Sequence, residues 1–180
     1  MRTFSGREAP LSLEKPVVNL LDYIVPLGRE RRFSNCGDGE WTILHHSMLA
    51  AMIWAALKYP PEGMYHILTH DFHEAYTRDI PTDVKLLINE KAGKPVMKEV
   101  EAVLDTQLLR YMGRGPPDAE TNVRIKHVDK LALIIEMAFI QRMDSWRMYL
   151  DQTTEADLEH IFRNSGGFDT TVHLFNKDRP

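Results

Sequence analysis

The segment "LTHDFHEAYTRDIPTDVK", residues 68–85, sets His70 beside Asp71, follows them with Glu74 and Asp79, and reaches Lys85 after a Pro81–Thr82 turn. Apolar Leu68, Phe72 and Ala75 are interleaved with these titratable groups. An imidazole or carboxylate at a core-facing position is costly unless it is paired or bound to a metal. Two more such residues stand elsewhere: His46, at the start of the segment that continues as "MLAAMIWAAL", and Asp129, between Ile125 and Leu131. If the helices carrying them pack together, two histidines and two aspartates converge. That mixed nitrogen and oxygen set, with no thiolate, suits an octahedral divalent ion such as Co, Mn, Zn, Ni, Fe or Mg. Four protein ligands would leave two positions for a water and a substrate oxygen. On the residues alone, either His45 or His46 could be the one that faces inward.

The neighbours suit phosphate chemistry. Glu74 lies four residues after His70 and three after Asp71, on the same face of a helix, where it could orient a water. Asp79, just past the helix end, could serve as a general acid or base. Lys126 lies one turn before Asp129, Lys85 follows the proline turn, and Arg32 precedes the first histidine helix. Cations beside a metal neutralise the charge that develops on a transferring phosphoryl group. Each residue also has an ordinary explanation, a hydrogen-bonded core histidine or a solvated basic segment such as "RERR" (29–32). It is the set that points to a site. His66, His73, His127, His160 and His173 are assigned to surface or structural roles.

Helical spacing accounts for most of the chain. A short apolar segment covers 17–25. A strong helix is expected over 41–58, ended by "YPPEG", and a second over 63–77. Pro81 breaks the pattern, because the residue before a proline is disfavoured in a helix. Asp83 then caps a short helix to about Asn89. A longer helix runs from Pro95, well placed as a first-turn proline, to Met112. The longest is expected over 121–150, with "LALIIEMAFI" as its buried heart, and a last one over 154–163. The tail from 165 contains "TTVHLF", a short strand or irregular segment. Strand signals are otherwise scarce, so the expectation is an all-α fold in one domain over residues 1–180.

Composition narrows the function classes. The chain has 180 residues, 43% hydrophobic and 27% charged, enough to bury a real core. A net charge of −4 gives no global field for nucleic acid, and no basic helix with base-reading side chains is present. The single cysteine, Cys36, excludes an internal disulfide and an all-thiolate metal site. It fits a reducing, cytoplasmic setting. The N-terminus lacks the apolar core of a secretory signal. The longest apolar run, ten residues, is too short to span a bilayer.

The combination His46 … His70-Asp71 … Asp129 resembles the H…HD…D signature of the HD-domain phosphohydrolase superfamily. The string around it is similar to the "HD-x-x-E-x-x-x-x-D-x-P-T-x-x-K" segment of the branch that contains bacterial 5′-deoxynucleotidases. It matches at His70, Asp71, Glu74, Asp79, Pro81, Thr82 and Lys85. "KHVDKL" (126–131) resembles that branch's lysine and last metal-binding aspartate. The resemblance covers about residues 17–150. It implies a compact HD-domain helical bundle, metal ligation by His46, His70, Asp71 and Asp129, and catalytic roles for Glu74 and Asp79. It further implies substrate contacts by Arg32, Phe33, Lys85 and Lys126. Arg32 would meet phosphate, and Phe33 would pack on the sugar and exclude a 2′-hydroxyl, with phenylalanine where the branch usually has tryptophan.

Two reactions fit this resemblance. In size and motifs the chain is similar to compact triphosphohydrolases of phages that replace adenine with diaminopurine, which release deoxyadenosine and triphosphate from dATP. The cations Arg29, Arg31, Arg32, Lys85, Arg124 and Lys126 favour that reaction over hydrolysis of deoxynucleoside monophosphates. The implied partners are a deoxynucleotide substrate and further copies of the chain, as dimer or hexamer, with neither nucleic acid nor membrane. The location would be cytoplasmic, or the host cytoplasm for a phage protein. A cyclic-dinucleotide or ppGpp phosphodiesterase lacks support from a GYP-type motif. A non-catalytic binding protein would be expected to have lost a ligand or Glu74, and none is lost.

Overall fold

A computed structural model describes residues 3–6, 19–33 and 40–164 of the chain. Within these residues the fold is all-α. The only extended pairing among them is an isolated bridge between Arg31 and Thr42. The helices are α1 (Leu21–Leu27), α2 (Ile43–Ala56), α3 (Met64–Thr69), α4 (Glu74–Thr77), α5 (Thr82–Ala92), α6 (Val96–Tyr111), α7 (Ala119–Ile135) and α8 (Gln152–Asn164). The core has two parts. One joins α2, α3, α7 and α8 through Trp54, Ile67, Leu131, Ile134 and Leu158. The other joins α1, α4 and α6 through Tyr23, Leu27, Phe72, Ala75 and Leu108, and it reaches α2 at Ile43.

α2 begins with a reciprocal cap. The Thr42 hydroxyl accepts from the His45 amide, and His45 Nδ1 accepts from the Thr42 amide at 3.2 Å. Two donors that the first turn would leave unpaired are thereby satisfied. The cap also fixes the choice between the two histidines: His45 is spent outside, stacked on Trp41, while His46 turns inward and is wholly buried.

α2 leads through Pro60 and Pro61 into a tight turn, Pro61–Gly63, and then α3. Gly63 is required here for closeness rather than for backbone freedom. A Cβ at this position would lie 2.2 Å from Trp54 Cζ2. The indole also donates from Nε1 to the Pro60 carbonyl at 2.9 Å. α3 is thus held directly against α2.

The helix expected over 63–77 is broken. α3 stops at Thr69, residues 70–73 form turns, and α4 is a single separate turn. Two side-chain bonds accompany the break. Thr69 Oγ1 donates to the Tyr65 carbonyl at 2.8 Å, and His70 Nδ1 donates to the Ile67 carbonyl at 2.7 Å. Such local bonds compete with helix continuation for the same carbonyls.

α5 starts one residue after Pro81, so Asp83 lies in its first turn rather than capping it, where a carboxylate still suits the helix dipole. Gly93, at φ +68, closes α5 in the left-handed conformation. The helix expected over 121–150 is regular only to Ile135. It widens into one π-helical turn, Glu136–Ile140, and after Arg142, at φ +52, the chain enters a tight helical turn over Asp144–Tyr149. The 165–180 tail lies outside the described residues. No described helix is long and apolar enough to cross a membrane.

Gly63→Ala forces either the Trp54 ring or the α2–α3 approach to give. Overpacking of this kind costs about 1–3 kcal/mol. Chemical denaturation should show a lowered midpoint, with far-UV circular dichroism of the folded state retained.

Candidate metal centre

The predicted ligands come together. His46 on α2, His70 and Asp71 in the turn after α3, and Asp129 on α7 present one donor atom each, all within 4.8 Å of one another. His46 Nε2 lies 3.2 Å from His70 Nε2, 3.1 Å from Asp129 Oδ1 and 3.5 Å from Asp71 Oδ2. His70 Nε2 lies 3.4 Å from Asp71 Oδ2 and 3.5 Å from Asp129 Oδ1.

The hydrogen bonds on the far sides of the rings identify what this cluster can hold. His46 Nδ1 is 2.6 Å from Glu136 Oε1, and His70 Nδ1 is 2.7 Å from the Ile67 carbonyl. Both partners accept only, so both Nδ1 atoms carry protons. The Nε2 atoms then face each other across 3.2 Å, and they cannot both carry protons pointing at one another. Once a cation displaces any proton held between them, two nitrogen lone pairs and two carboxylate oxygens around one point would receive it together. The donor set therefore fits a divalent ion, held with both imidazoles oriented from behind.

Glu136 is the residue that the sequence motifs did not provide. Its carboxylate is fully buried in the π-helical turn after α7, and it receives three donors. Trp41 Nε1 donates at 2.8 Å, Arg32 Nε at 3.0 Å and His46 Nδ1 at 2.6 Å. Its signal was present as the single charged residue inside the apolar "LALIIEMAFI". The π-turn is a common device for turning a side chain into a functional site.

The electrostatics follow from this layout. Burial opposes charge on His70, but Asp71, Asp129 and the Ile67 carbonyl together raise its pKa to about 9. His46 shifts the same way: burial opposes the charged ring, and Asp129 and Glu136 prevail. Asp71 and Asp129 are held below the usual carboxylate range, because the two imidazoles outweigh the cost of burial. Glu74 behaves oppositely. Burial, then the charges of Asp71 and Asp79, push it up to about 9. A cation among the four ligands would counter that repulsion and draw Glu74 back toward ionisation.

The remaining predicted residues are distributed around this centre. Glu74 is buried and its Oε2 has no hydrogen-bond partner. Asp79, in the segment after α4, acts on Glu74 through its charge. Lys85 Nζ lies 3.9 Å from Glu74 Oε1 but 2.8 Å from Glu101 Oε1, so much of its charge is already neutralised by α6. Arg32 reaches Asp71 Oδ2 at 3.4 Å while holding Glu136. The Phe33 ring lies 5.6 Å from the Arg32 guanidinium, and its backbone is left-handed at φ +58, a strained conformation for an aromatic residue. Lys126 is exposed and lines a cavity that opens beside His70 and Asp129. Of the other predicted cations, Arg31 pairs with Glu40 and Arg124 with Glu120.

Two histidines assigned to structural roles are buried near the site. His73 bridges to α6, with Nδ1 3.1 Å from Asp105 Oδ1 and Nε2 3.8 Å from Glu101 Oε1. His66 lines the cavity. His127 ties α7 to α8 through Asp157 at 2.8 Å, as a structural residue would. His173 lies outside the described residues.

Fold and site together define an all-helical protein with a two-histidine, two-aspartate cluster that could hold one divalent ion. The chain is similar to an uncharacterized protein of Escherichia coli (strain K12), YfdR, with 28% identity over 137 residues that span 76% of this chain and 69% of that protein. No family model matches the chain.

Removing the support behind His46 should be measurable apart from any activity. Glu136→Gln keeps the shape but loses the charge that orients the ring and holds Arg32. Changes of this type cost roughly 10–100-fold in metal affinity. Calorimetric titration of metal-free protein with Mn or Co should show that loss, and His46→Ala or Asp129→Ala should abolish the binding isotherm.

Proposed function

We propose that the chain is a metal-dependent phosphohydrolase of the HD-domain superfamily that acts on deoxynucleotides. In this reading it cleaves deoxynucleoside triphosphates, dATP preferred, to deoxynucleoside and triphosphate. The supporting observation is the convergence of four acceptor atoms from His46, His70, Asp71 and Asp129 with the Arg32 guanidinium beside them. A divalent ion bound there supplies Lewis acidity toward a phosphoryl oxygen and toward water.

The chain's own residues supply the rest. Arg32 is fixed by Glu136, so its outer N–H groups stand ready beside Asp71 for a phosphoryl oxygen, with no reorganisation needed. Glu74, buried and with Oε2 unbonded, takes the proton of the attacking water. The new bond forms from water oxygen to the α-phosphorus, and the bond to the nucleoside 5′-oxygen breaks. That oxygen leaves with a proton, which Asp79 relays to it from Glu74 so that both carboxylates return to their starting state. Phe33, held against Arg32, packs on the deoxyribose where a 2′-hydroxyl would collide. Lys126, at the cavity mouth one turn from Asp129, contacts the phosphate chain.

Hydrolysis of deoxynucleoside monophosphates is the second reading, and a specific observation favours it. Glu40, Glu120 and Glu101 engage Arg31, Arg124 and Lys85, which leaves fewer cations for β- and γ-phosphates than the sequence suggested.

A panel of the four dNTPs and four dNMPs, assayed with Mn or Co and with product identified as triphosphate, pyrophosphate or phosphate, decides between the two. Triphosphate from dNTPs is expected; phosphate from dNMPs alone would establish the second reading, and no turnover of any would end both. His70→Ala, Asp71→Ala or a chelator should reduce turnover to background. Phe33→Ala should narrow the gap between deoxy- and ribonucleotides, measured as the ratio of kcat/KM values.

A further inference from the structure

The cavity beside the metal ligands has a volume of about 280 Å³ and lies between α3, α6 and α7. That is near the lower end of the range for small-molecule sites, roughly 300–1,000 Å³. Its two ends differ in character. His70, Asp129 and Lys126 form the end at the metal centre, Leu108, Leu109, Pro117 and Ile125 supply an apolar wall, and Thr69 and the Asp105 carboxylate add polar groups to the lining. One polar side chain in this wall is unexplained by the fold. His66 is only 8% exposed, yet neither of its ring nitrogens has a hydrogen-bond partner among the described residues. It stands on α3 four residues before His70, the residue that follows the end of that helix.

The His66 ring nitrogens are not sealed off from the cavity, so they are open to a ligand that enters it. His66 is moreover kept neutral: burial, and then the charge of Arg114, lower its pKa. A neutral imidazole offers one donor and one acceptor. Asn122 adds an acceptor, because its Nδ2 donates to the Pro117 carbonyl at 3.2 Å and its Oδ1 is left unbonded. Apolar walls with a donor and two acceptors suit an uncharged, flat heterocycle carrying an amino group, and poorly suit a phosphate chain.

We propose that this cavity seats the substrate's heterocyclic base and that His66 hydrogen bonds to its edge, making His66 a specificity-determining residue. The proposal rests on the nucleotide reading above for the identity of the heterocycle. It also sets the direction of the substrate: base between α3, α6 and α7, phosphates toward Arg32.

Equilibrium dialysis of the full chain, metal-free and metal-loaded, against deoxyadenosine, thymidine and deoxyribose 5-phosphate tests this apart from catalysis. His66→Leu should weaken deoxyadenosine by about tenfold, the equivalent of one lost hydrogen bond. Deoxyribose 5-phosphate should be unaffected, deoxyadenosine should bind more tightly than thymidine to the wild type, and His66→Gln should restore part of the loss. Unchanged deoxyadenosine affinity in His66→Leu, or an equal loss for deoxyribose 5-phosphate, overturns the proposal. If His66→Leu fails to fold by circular dichroism, Asn122→Ala, on the exposed rim, decides in the same way. Nucleoside binding that depends on His66 without hydrolysis of any nucleotide would leave this inference standing and remove the hydrolase reading. Hydrolysis with binding indifferent to His66 would do the reverse.

Discussion

The carboxylate of Glu136 is the constraint on which the site depends. A charge with no solvent access is tolerable only when donors surround it, and breaking a buried pair typically costs about 3–5 kcal/mol. Here the donors come from the segment before α2 (Arg32), the turn leading into it (Trp41) and α2 itself (His46). One carboxylate on the π-helical turn after α7 therefore fixes three positions far away in sequence. It sets the His46 tautomer, places Arg32 next to Asp71, and holds the N-terminal side of α2 against the end of α7. The wider π-turn is consistent with this demand, since it lets Glu136 face inward two turns after Asp129.

The second half of the centre is positioned by a local conflict. His70 uses Nδ1 to take the Ile67 carbonyl, and the same bond both orients the ring and helps end α3. The close approach of Gly63 to Trp54 then sets how far α3 lies from α2, and so the 3.2 Å between the two Nε2 atoms. Packing between two apolar surfaces and the geometry of a polar centre are thus the same constraint.

Much of this was legible in the sequence, for identifiable reasons. The helices around Trp54, Leu104 and Leu131 follow their apolar spacing, and the four ligands stood out because charged residues in apolar surroundings need an explanation. The break after Thr69 was not legible, since periodicity carries on through it and only the side-chain bonds of Thr69 and His70 reveal the stop. The end of α7 was hidden likewise, because apolar residues continue past Ile135 in a π-turn that has no periodic signature. Glu136 and His66 were missed for a different reason. Their importance lies in partners, present for one and lacking for the other, and partners are set by tertiary structure. Lys85 read as a free cation because Glu101 becomes its partner only once α5 and α6 are placed, whereas Arg124 pairs with Glu120 one turn earlier on α7, a spacing that the sequence already carried.

The balance of charge around the centre bears on how substrate and metal would cooperate. Asp71 lies in the field of Asp129 and Glu74 in that of Asp71, Glu136 stands behind His46, Arg32 interacts with all four carboxylates, and Lys85 is shared with Glu101. Such a site repels a phosphate ester of the kind proposed. A divalent ion reverses the local sign, and the phosphate in turn supplies the ion with oxygen ligands that the four side chains leave open. Each would raise the affinity of the other by the same factor, as linkage requires. Arg32 could not substitute for the ion, because its Nε is already committed to Glu136 and its charge to two carboxylates. In the proposed reaction the arginine would select and orient a phosphoryl group, and the charge that lets the group approach would come from the metal.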